Sequence, residues 1–365
     1  MKLNLNEIIF FLNQRFPLQY QESWDNSGLL VDTYKPISKI ITCLDCTLDV
    51  VNEAIAENAN LIVSHHPLIF SGIKKIINTD KTASILKLLI KNDIALYCAH
   101  TNLDNAVGGL NDYLAKALNL TDIEVLQPLK SHLFKIVTFV PHEHADKVRT
   151  ALFNSMAGNI GNYDSCSFNI QGNGTFRGND NTNPFVGKIG KIHFEPETRI
   201  ETVVERRSLQ KAINDMISAH PYEEVAYDIY PIENELPSVG LGRIGVLPQQ
   251  MSENQLIKYL KEKLSLENVL CSRINNRAIS KIAIIGGSGS SVIDTALLLG
   301  ADAVITGDIK YHTYIDYESK LFLVDIGHFG SEKIAMNVFY DCLTKKFPNF
   351  AVLKSKTNLN PINYL

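Results

Sequence analysis

Short apolar runs alternate with amphipathic segments along most of this chain, and that alternation limits the possible fold more than any other feature. Residues 40–44, 61–64, 94–98, 281–285, 303–305 and 321–326 read as buried strands. Segments 5–16, 48–58, 82–91 and 253–264 place apolar residues at helical spacing. Strands alternating with helices predict an α/β fold with mostly parallel sheets covered on both faces. Ligands in such sheets bind beyond the carboxyl ends of the strands.

Those ends carry unusual chemistry. The 61–64 run leads into His65-His66-Pro67. Neighbouring side chains on extended backbone point to opposite sides, so the two imidazoles can reach two separate points. Pro67 biases His66 toward an extended conformation. The 94–98 run leads to His100 and Asp104, and the 321–326 run to His328 and Glu332. The last pair, four positions apart at a helix start, shares one face. His65, His66, Asp104, His328 and Glu332 thus supply three imidazoles and two carboxylates. Such mixed nitrogen and oxygen donors suit Zn, Mn or Fe, and the absence of thiolate argues against a closed structural zinc site. Five ligands leave open positions on two ions, as a catalytic dinuclear centre requires. We expect two divalent ions per chain, with Zn favoured over Mn or Fe.

From about Pro128 the texture changes. Strands at 133–140, 188–205 and 225–230 and helices at 142–156 and 209–219 surround two Gly/Asn-rich tracts, one near residue 160 and one from Gly172 to Pro184. This order suggests a split βαβ, ferredoxin-like unit inserted into the chain. We expect residues 1–127 and 238–365 to form two similar α/β halves of one dinuclear-metal domain, with 128–237 as the insert. A chain of 365 residues has room for two or three domains. The formal charge of −4 argues against a surface built for DNA. No apolar run reaches membrane-spanning length, and the start Met1-Lys2-Leu3-Asn4 lacks a signal-peptide core. With six scattered cysteines, a cytoplasmic protein with reduced thiols is expected, and Cys43-Leu-Asp-Cys46 is expected to be structural.

Six motifs in the two flanking halves resemble the Nif-three-like dinuclear-metal family, whose bacterial members are named GTP cyclohydrolase 1 type 2 homologues. They are Trp24-Asp-Asn-Ser-Gly-Leu29, Ser64-His-His-Pro-Leu68, His100-Thr-Asn-Leu-Asp104, Gly286-Gly-Ser-Gly289, Thr306-Gly-Asp308, and Gly327-His328 with Glu332. The insert is similar through Gly161-Asn-Tyr-Asp164, Gly172-Asn-Gly-Thr-Phe176 and His220-Pro-Tyr-Glu-Glu224. The resemblance covers nearly the whole chain. It implies the same five ligands with Glu332 bridging, a toroidal homohexamer, and a PII/CutA-like inserted domain. One departure is Asp32, where a glycine commonly closes the first motif.

Other residues carry lesser expectations. Gly286-Gly-Ser-Gly-Ser290 leaves two readings open, a phosphate cradle of backbone N–H groups or a plain tight turn. His100 is expected beside the metals, tuning a ligand or moving a proton. Trp24 is expected in the core, and Asp45, Asp308 and His312 as solvated strand-end groups. His132, His142, His144 and His193 are expected on the surface, and His220 outside the ligand set. The function expected is hydrolysis of a small anionic substrate, nucleotides among them. A non-enzymatic ring that binds DNA or a protein partner is the alternative.

Overall fold

The structure, a computed structural model, describes residues 2–357 and 359–363. It divides into two compact units, Met1–Pro128 with Pro237–Leu365, and Leu129–Leu236.

The first unit is mixed α/β and holds two sheets. In the five-stranded sheet the order is Gly28–Val31, Ala95–Cys98, Leu61–Ser64, Ile40–Cys43 and Val352–Lys354. The last four run parallel, and Gly28–Val31 pairs antiparallel at the edge. Parallel strands buried on both faces need continuous apolar runs, and Leu61, Ile62 and Val63 are fully buried. Ile41 and Ile62 pack against Val50, Val51, Ile85 and Leu89 of the helices Leu48–Ala56 and Lys81–Lys91. Each helix begins where its sequence supplies a cap: Thr47 accepts from Val50 N–H, and Asp80 from Ala83 N–H.

The second sheet has six strands, in the order Leu270–Cys271, Phe322–Asp325, Ala303–Gly307, Ala278–Ser288, Leu236–Ser252 and Thr121–Leu129. Its centre is parallel and its flanks, Leu270–Cys271 and Leu236–Ser252, pair antiparallel. The two sheets are therefore not each built from one half of the chain. Thr121–Leu129 comes from the first half but joins the second sheet, and Val352–Lys354 makes the reverse exchange. Neither strand was read from the sequence. One is mostly exposed and the other is three residues long, so neither shows a buried run. Arg243, 2% exposed, ties the halves by donating to the carbonyls of Ala106, Gly240 and Gly242 and pairing with Asp112.

The second unit follows the chain order β-α-β-β-α-β. Its sheet runs Phe168–Phe176, His193–Glu205, Leu133–Pro141 and Tyr227–Ile232, all antiparallel. Helices Ala145–Asn154 and Arg206–Ala219 cover one face, burying Phe134, Ile136, Val140, Ile200 and Val204. The strand Phe168–Phe176 lies where the sequence shows a Gly/Asn-rich tract. Its side chains are largely exposed, so no apolar alternation marked it. Among the described residues, no helix is long and apolar enough to cross a membrane.

Candidate metal centre

The Leu61–Ser64 strand delivers His65 and His66 through a turn that the backbone closes. His65 N–H donates to the Cys43 and Leu44 carbonyls, His66 N–H donates to Leu44, and the Ser64 hydroxyl donates to the His66 carbonyl. One strand over, Ala95–Cys98 leads to the helix Thr101–Asn105, which places Asp104 one turn in. That helix is pinned by buried amides, Asn102 donating to the Phe16 carbonyl and Asn105 to that of Tyr20. In the other sheet, Phe322–Asp325 leads to the helix His328–Glu332. The buried Asn111 spans the two sheets' contributions, donating to the Asp104 carbonyl and accepting from Gly286 N–H.

All five expected ligands meet here. Glu332 Oε2 lies 2.8 Å from His66 Nε2 and 2.9 Å from His328 Nε2. Its Oε1 lies 3.7 Å from His65 Nε2, and Asp104 Oδ1 lies 3.6 Å from the same nitrogen. Potential ligand atoms of His66, His328 and Glu332 fall within 4.8 Å of one another, as do those of His65, His66 and His100.

Each imidazole is oriented by an acceptor on its Nδ1. His65 donates to the Ala99 carbonyl (2.9 Å), His66 to Asp45 (2.8 Å), His328 to Asp308 (2.6 Å) and His100 to Asp25 (2.8 Å). Holding Nδ1–H fixes the tautomer and frees the Nε2 lone pair, the arrangement that supports metal-ligating histidines. Two atoms test whether the site suits a cation. His65 Nε2 and Asp104 Oδ1 are buried and have no hydrogen-bond partner among the described residues. Burying such acceptors unsatisfied costs about 1–3 kcal/mol each. A divalent ion between them and Glu332 would satisfy both, so the residues present fit a metal.

Charge follows the same logic. Burial holds His65 below its ordinary pKa, hence neutral. Burial also opposes charge on His66, but Asp45 and Glu332 overcome it and push the group up to about 10. The Glu332 hydrogen bond, against burial, pushes His328 up to about 9. Burial and then the Glu332 charge drive Asp104 well above the carboxylate range. Burial works against ionised Glu332, yet hydrogen bonds from His328 and His66 hold it well below that range. At neutral pH the metal-free site therefore carries protons on His66 and His328 that a cation must displace. Ion loading is expected to release about two protons, and apparent affinity to rise with pH by about tenfold per unit for each proton displaced. Calorimetric titration with Zn in buffers of different ionisation enthalpy measures that number directly. Release of less than one proton would contradict this charge state.

Several expectations need correction. Asp45 and Asp308 are not idle solvated groups, since they hold His66 and His328; His312 is exposed and joins no such contact. Trp24 is 55% exposed rather than in the core, its ring 5.9 Å from His100 and 5.8 Å from Phe70. The Gly286–Gly289 turn is no phosphate cradle, because side chains already occupy its N–H groups. Gly286 donates to Asn111, Gly287 to Ser331 and Gly289 to Thr306. Its glycines make room instead. A Cβ at Gly287 would stand 2.3 Å from Glu332 Oε1. Asp25 was missed as a site residue. Its side chain is fully buried and accepts from His100, from Thr101 N–H and from the Ser27 hydroxyl. Its sequence signals were the dense polar turn Asp25-Asn-Ser-Gly28 and its place in the Trp24–Leu29 motif. Cys43 and Cys46 are free and buried, and burial pushes the Cys46 thiol up to about 12, far from a reactive thiolate.

The chain matches the Duf34/NIF3 (NGG1p interacting factor 3) family over residues 3–361. It is 40% identical to a Halalkalibacterium halodurans protein named GTP cyclohydrolase 1 type 2 homolog, over 100% of both chains. A Bacillus subtilis protein of the same name is 38% identical, over 100% of this chain and 99% of that one. Among solved structures, a Bacillus cereus protein related to NIF3 matches 100% of both chains with a TM-score of 0.84 and 37% identity. Staphylococcus aureus protein SA1388 matches with a TM-score of 0.78 and 30% identity, over 100% of this chain and 99% of that one.

Proposed function

We propose that this chain, which belongs to the Duf34/NIF3 family, is a dinuclear metal-dependent hydrolase acting on an anionic, nucleotide or phosphorylated substrate. The observation that carries the reading is the pair of buried acceptors without partners, His65 Nε2 and Asp104 Oδ1, facing Glu332. Glu332 has one oxygen toward His65 and the other toward His66 and His328, which supports a bridging role between two ligand sets. When bound, divalent ions supply Lewis-acid activation of water at neutral pH and, against only two carboxylates, a net positive centre that favours an anionic substrate.

The chain's own groups do the rest. Asp45 and Asp308 keep the His66 and His328 rings aimed inward. His100, its Nδ1 held by Asp25, keeps Nε2 free to take up or return a proton beside the cluster. Burial opposes ionised Asp25, yet bonds from His100 and Thr101 hold its pKa below the ordinary carboxylate range, so it remains an acceptor for that ring. Trp24, half exposed next to His100, offers a flat face on which a nucleobase can stack. The relatives' printed name, a GTP cyclohydrolase homologue, points to the same substrate class. We also read the inserted unit, from its β-α-β-β-α-β order, as a ferredoxin-like domain of the PII/CutA type.

The family's printed description, an interacting factor, favours a second reading, a metal-dependent ring that binds a protein partner or DNA. One screen separates the two. Chelator-stripped protein is expected to be inert on a panel of nucleotides and phosphoesters, and Zn, Mn or Fe to restore turnover. If stripped and reloaded protein are equally inert and only the reloaded form binds a partner, the hydrolase reading fails.

A further inference from the structure

The inserted unit holds a cavity of about 550 Å³ that plays no part in the metal centre. It lies on the face of the sheet that the two helices leave open. Ile200 and Val204 point to the helices, so their neighbours Glu197 and Arg199 point the other way. Residues paired directly across antiparallel strands share a face. Ile170 pairs with Arg199, Gly172 with Glu197, Gly174 with Glu195 and Phe176 with His193. On that face the strand Phe168–Phe176 thus reads Ile170, Gly172, Gly174, Phe176, two side chains bracketing two gaps. A Cβ on Gly172 would meet nothing within 4 Å, whereas one on Gly174 would lie 2.1 Å from Glu197 Oε2. One glycine leaves the hollow empty, and the other leaves room for the carboxylate. Glycine in a strand interior often marks close approach of a ligand. The His220-Pro-Tyr-Glu-Glu224 motif supplies part of the wall through Tyr222, Glu223 and Glu224.

The lining is chemically selective. Glu197 is 7% exposed and has no ion pair among the described residues. Its Oε1 accepts from the Tyr222 hydroxyl at 2.8 Å, and its Oε2 accepts no hydrogen bond among the described residues. A buried carboxylate in that state calls for a donor. In the same wall, Arg199 pairs with Glu201 through Nη2, but its Nε–H is buried without a partner among the described residues. Phe176 and Phe185 stand 5.9 Å and 6.3 Å from the Tyr222 ring and form flat apolar walls. The volume falls within the range of small-molecule sites, about 300–1,000 Å³.

We propose that this cavity binds a planar nitrogen heterocycle whose adjacent N–H donors face Glu197 and whose ring carbonyl faces Arg199, the edge carried by guanine and pterin rings. A carboxylate accepts two parallel N–H bonds from such an edge, and an adenine edge offers only one donor group. This site is independent of the metal reading. Failure at either place leaves the other untouched.

The test uses the full chain stripped of divalent ions by chelation, so that the metal centre does not contribute, with guanosine as probe in calorimetric titration. Saturable binding of one guanosine per chain is expected, with adenosine at least tenfold weaker. Glu197→Gln keeps an acceptor for Tyr222 but turns one oxygen into a donor, and should weaken guanosine at least tenfold. Gly172→Val fills the hollow with a residue at home in a strand and should abolish binding while leaving the thermal midpoint of the protein unchanged. Absence of saturable guanosine binding, equal affinity for adenosine, or binding that survives Gly172→Val overturns the proposal.

Discussion

Glu332→Ala is expected to empty the centre of both ions. In wild-type protein, elemental analysis should find close to two divalent ions per chain. The variant should hold almost none after dialysis, and turnover should fall by at least about a hundredfold, beyond what loss of an orienting partner alone costs. The reason lies in where the carboxylate stands. Its two oxygens face different imidazoles, and its charge offsets the crowding of His65, His66 and His328. Truncation leaves those rings facing one another with no anion between them, so neither set of ligands remains complete. Loss of a single ion, with the second retained at full occupancy, would show that Glu332 serves one metal and does not bridge.

Gly287→Ala should be nearly as damaging, although it touches no ligand's identity. Gly287 has φ +63°, and its Cβ position lies 2.3 Å from Glu332 Oε1. The backbone penalty alone, about 1–2 kcal/mol, is one that the fold can absorb. Displacement of the carboxylate is the larger effect, and metal affinity should drop by about ten- to a hundredfold. Gly300→Ala is the matched control. It imposes a similar left-handed conformation, φ +76°, where a Cβ meets nothing within 4 Å. Both variants should lose comparable stability in thermal melting, and only Gly287→Ala should lose metal in a competition titration with a chelating dye. Equal metal affinity in the two would mean that Glu332 can move aside without consequence.

How far the sequence revealed this molecule depends on what each residue has to do. The parallel strands were legible because burial on both faces demands continuous apolar runs such as Leu61–Val63. The five candidate ligands could be singled out because a strand that ends in histidine places a titratable ring at the rim of a sheet, and the structure brings them together. The residues that aim those rings could not be. Asp45 and Asp308 look like any polar group at a strand end, and only the fold shows that each lies against an imidazole far away in sequence. Asp25 reaches His100 across 75 positions, a pairing that no local pattern encodes. Trp24 was misjudged because its size suggests a core residue, whereas its half-exposed ring stands beside His100 and Phe70. The Gly286–Gly289 turn was ambiguous for a related reason. Sequence shows where a side chain is missing, and only the structure shows what fills the space.

The exchanged strands bear on how the protein is made. The sheet that carries His65 is completed by Val352–Lys354, and the Thr42 hydroxyl reaches the Leu353 carbonyl across 311 positions. Closing so long a loop is slow compared with the neighbouring contacts inside either half. On the ribosome, the inserted unit has all its strands available by residue 232, whereas the first sheet must wait for more than a hundred further residues. During that interval the edge of Ile40–Cys43 that will receive Val352–Lys354 stays unpaired, an exposure that invites misassociation of nascent chains. The candidate cation ligands obey the same timetable, since His328 and Glu332 emerge late. The candidate centre is therefore complete only in a finished fold, and a chain ended before Phe322 would have neither that edge nor that centre.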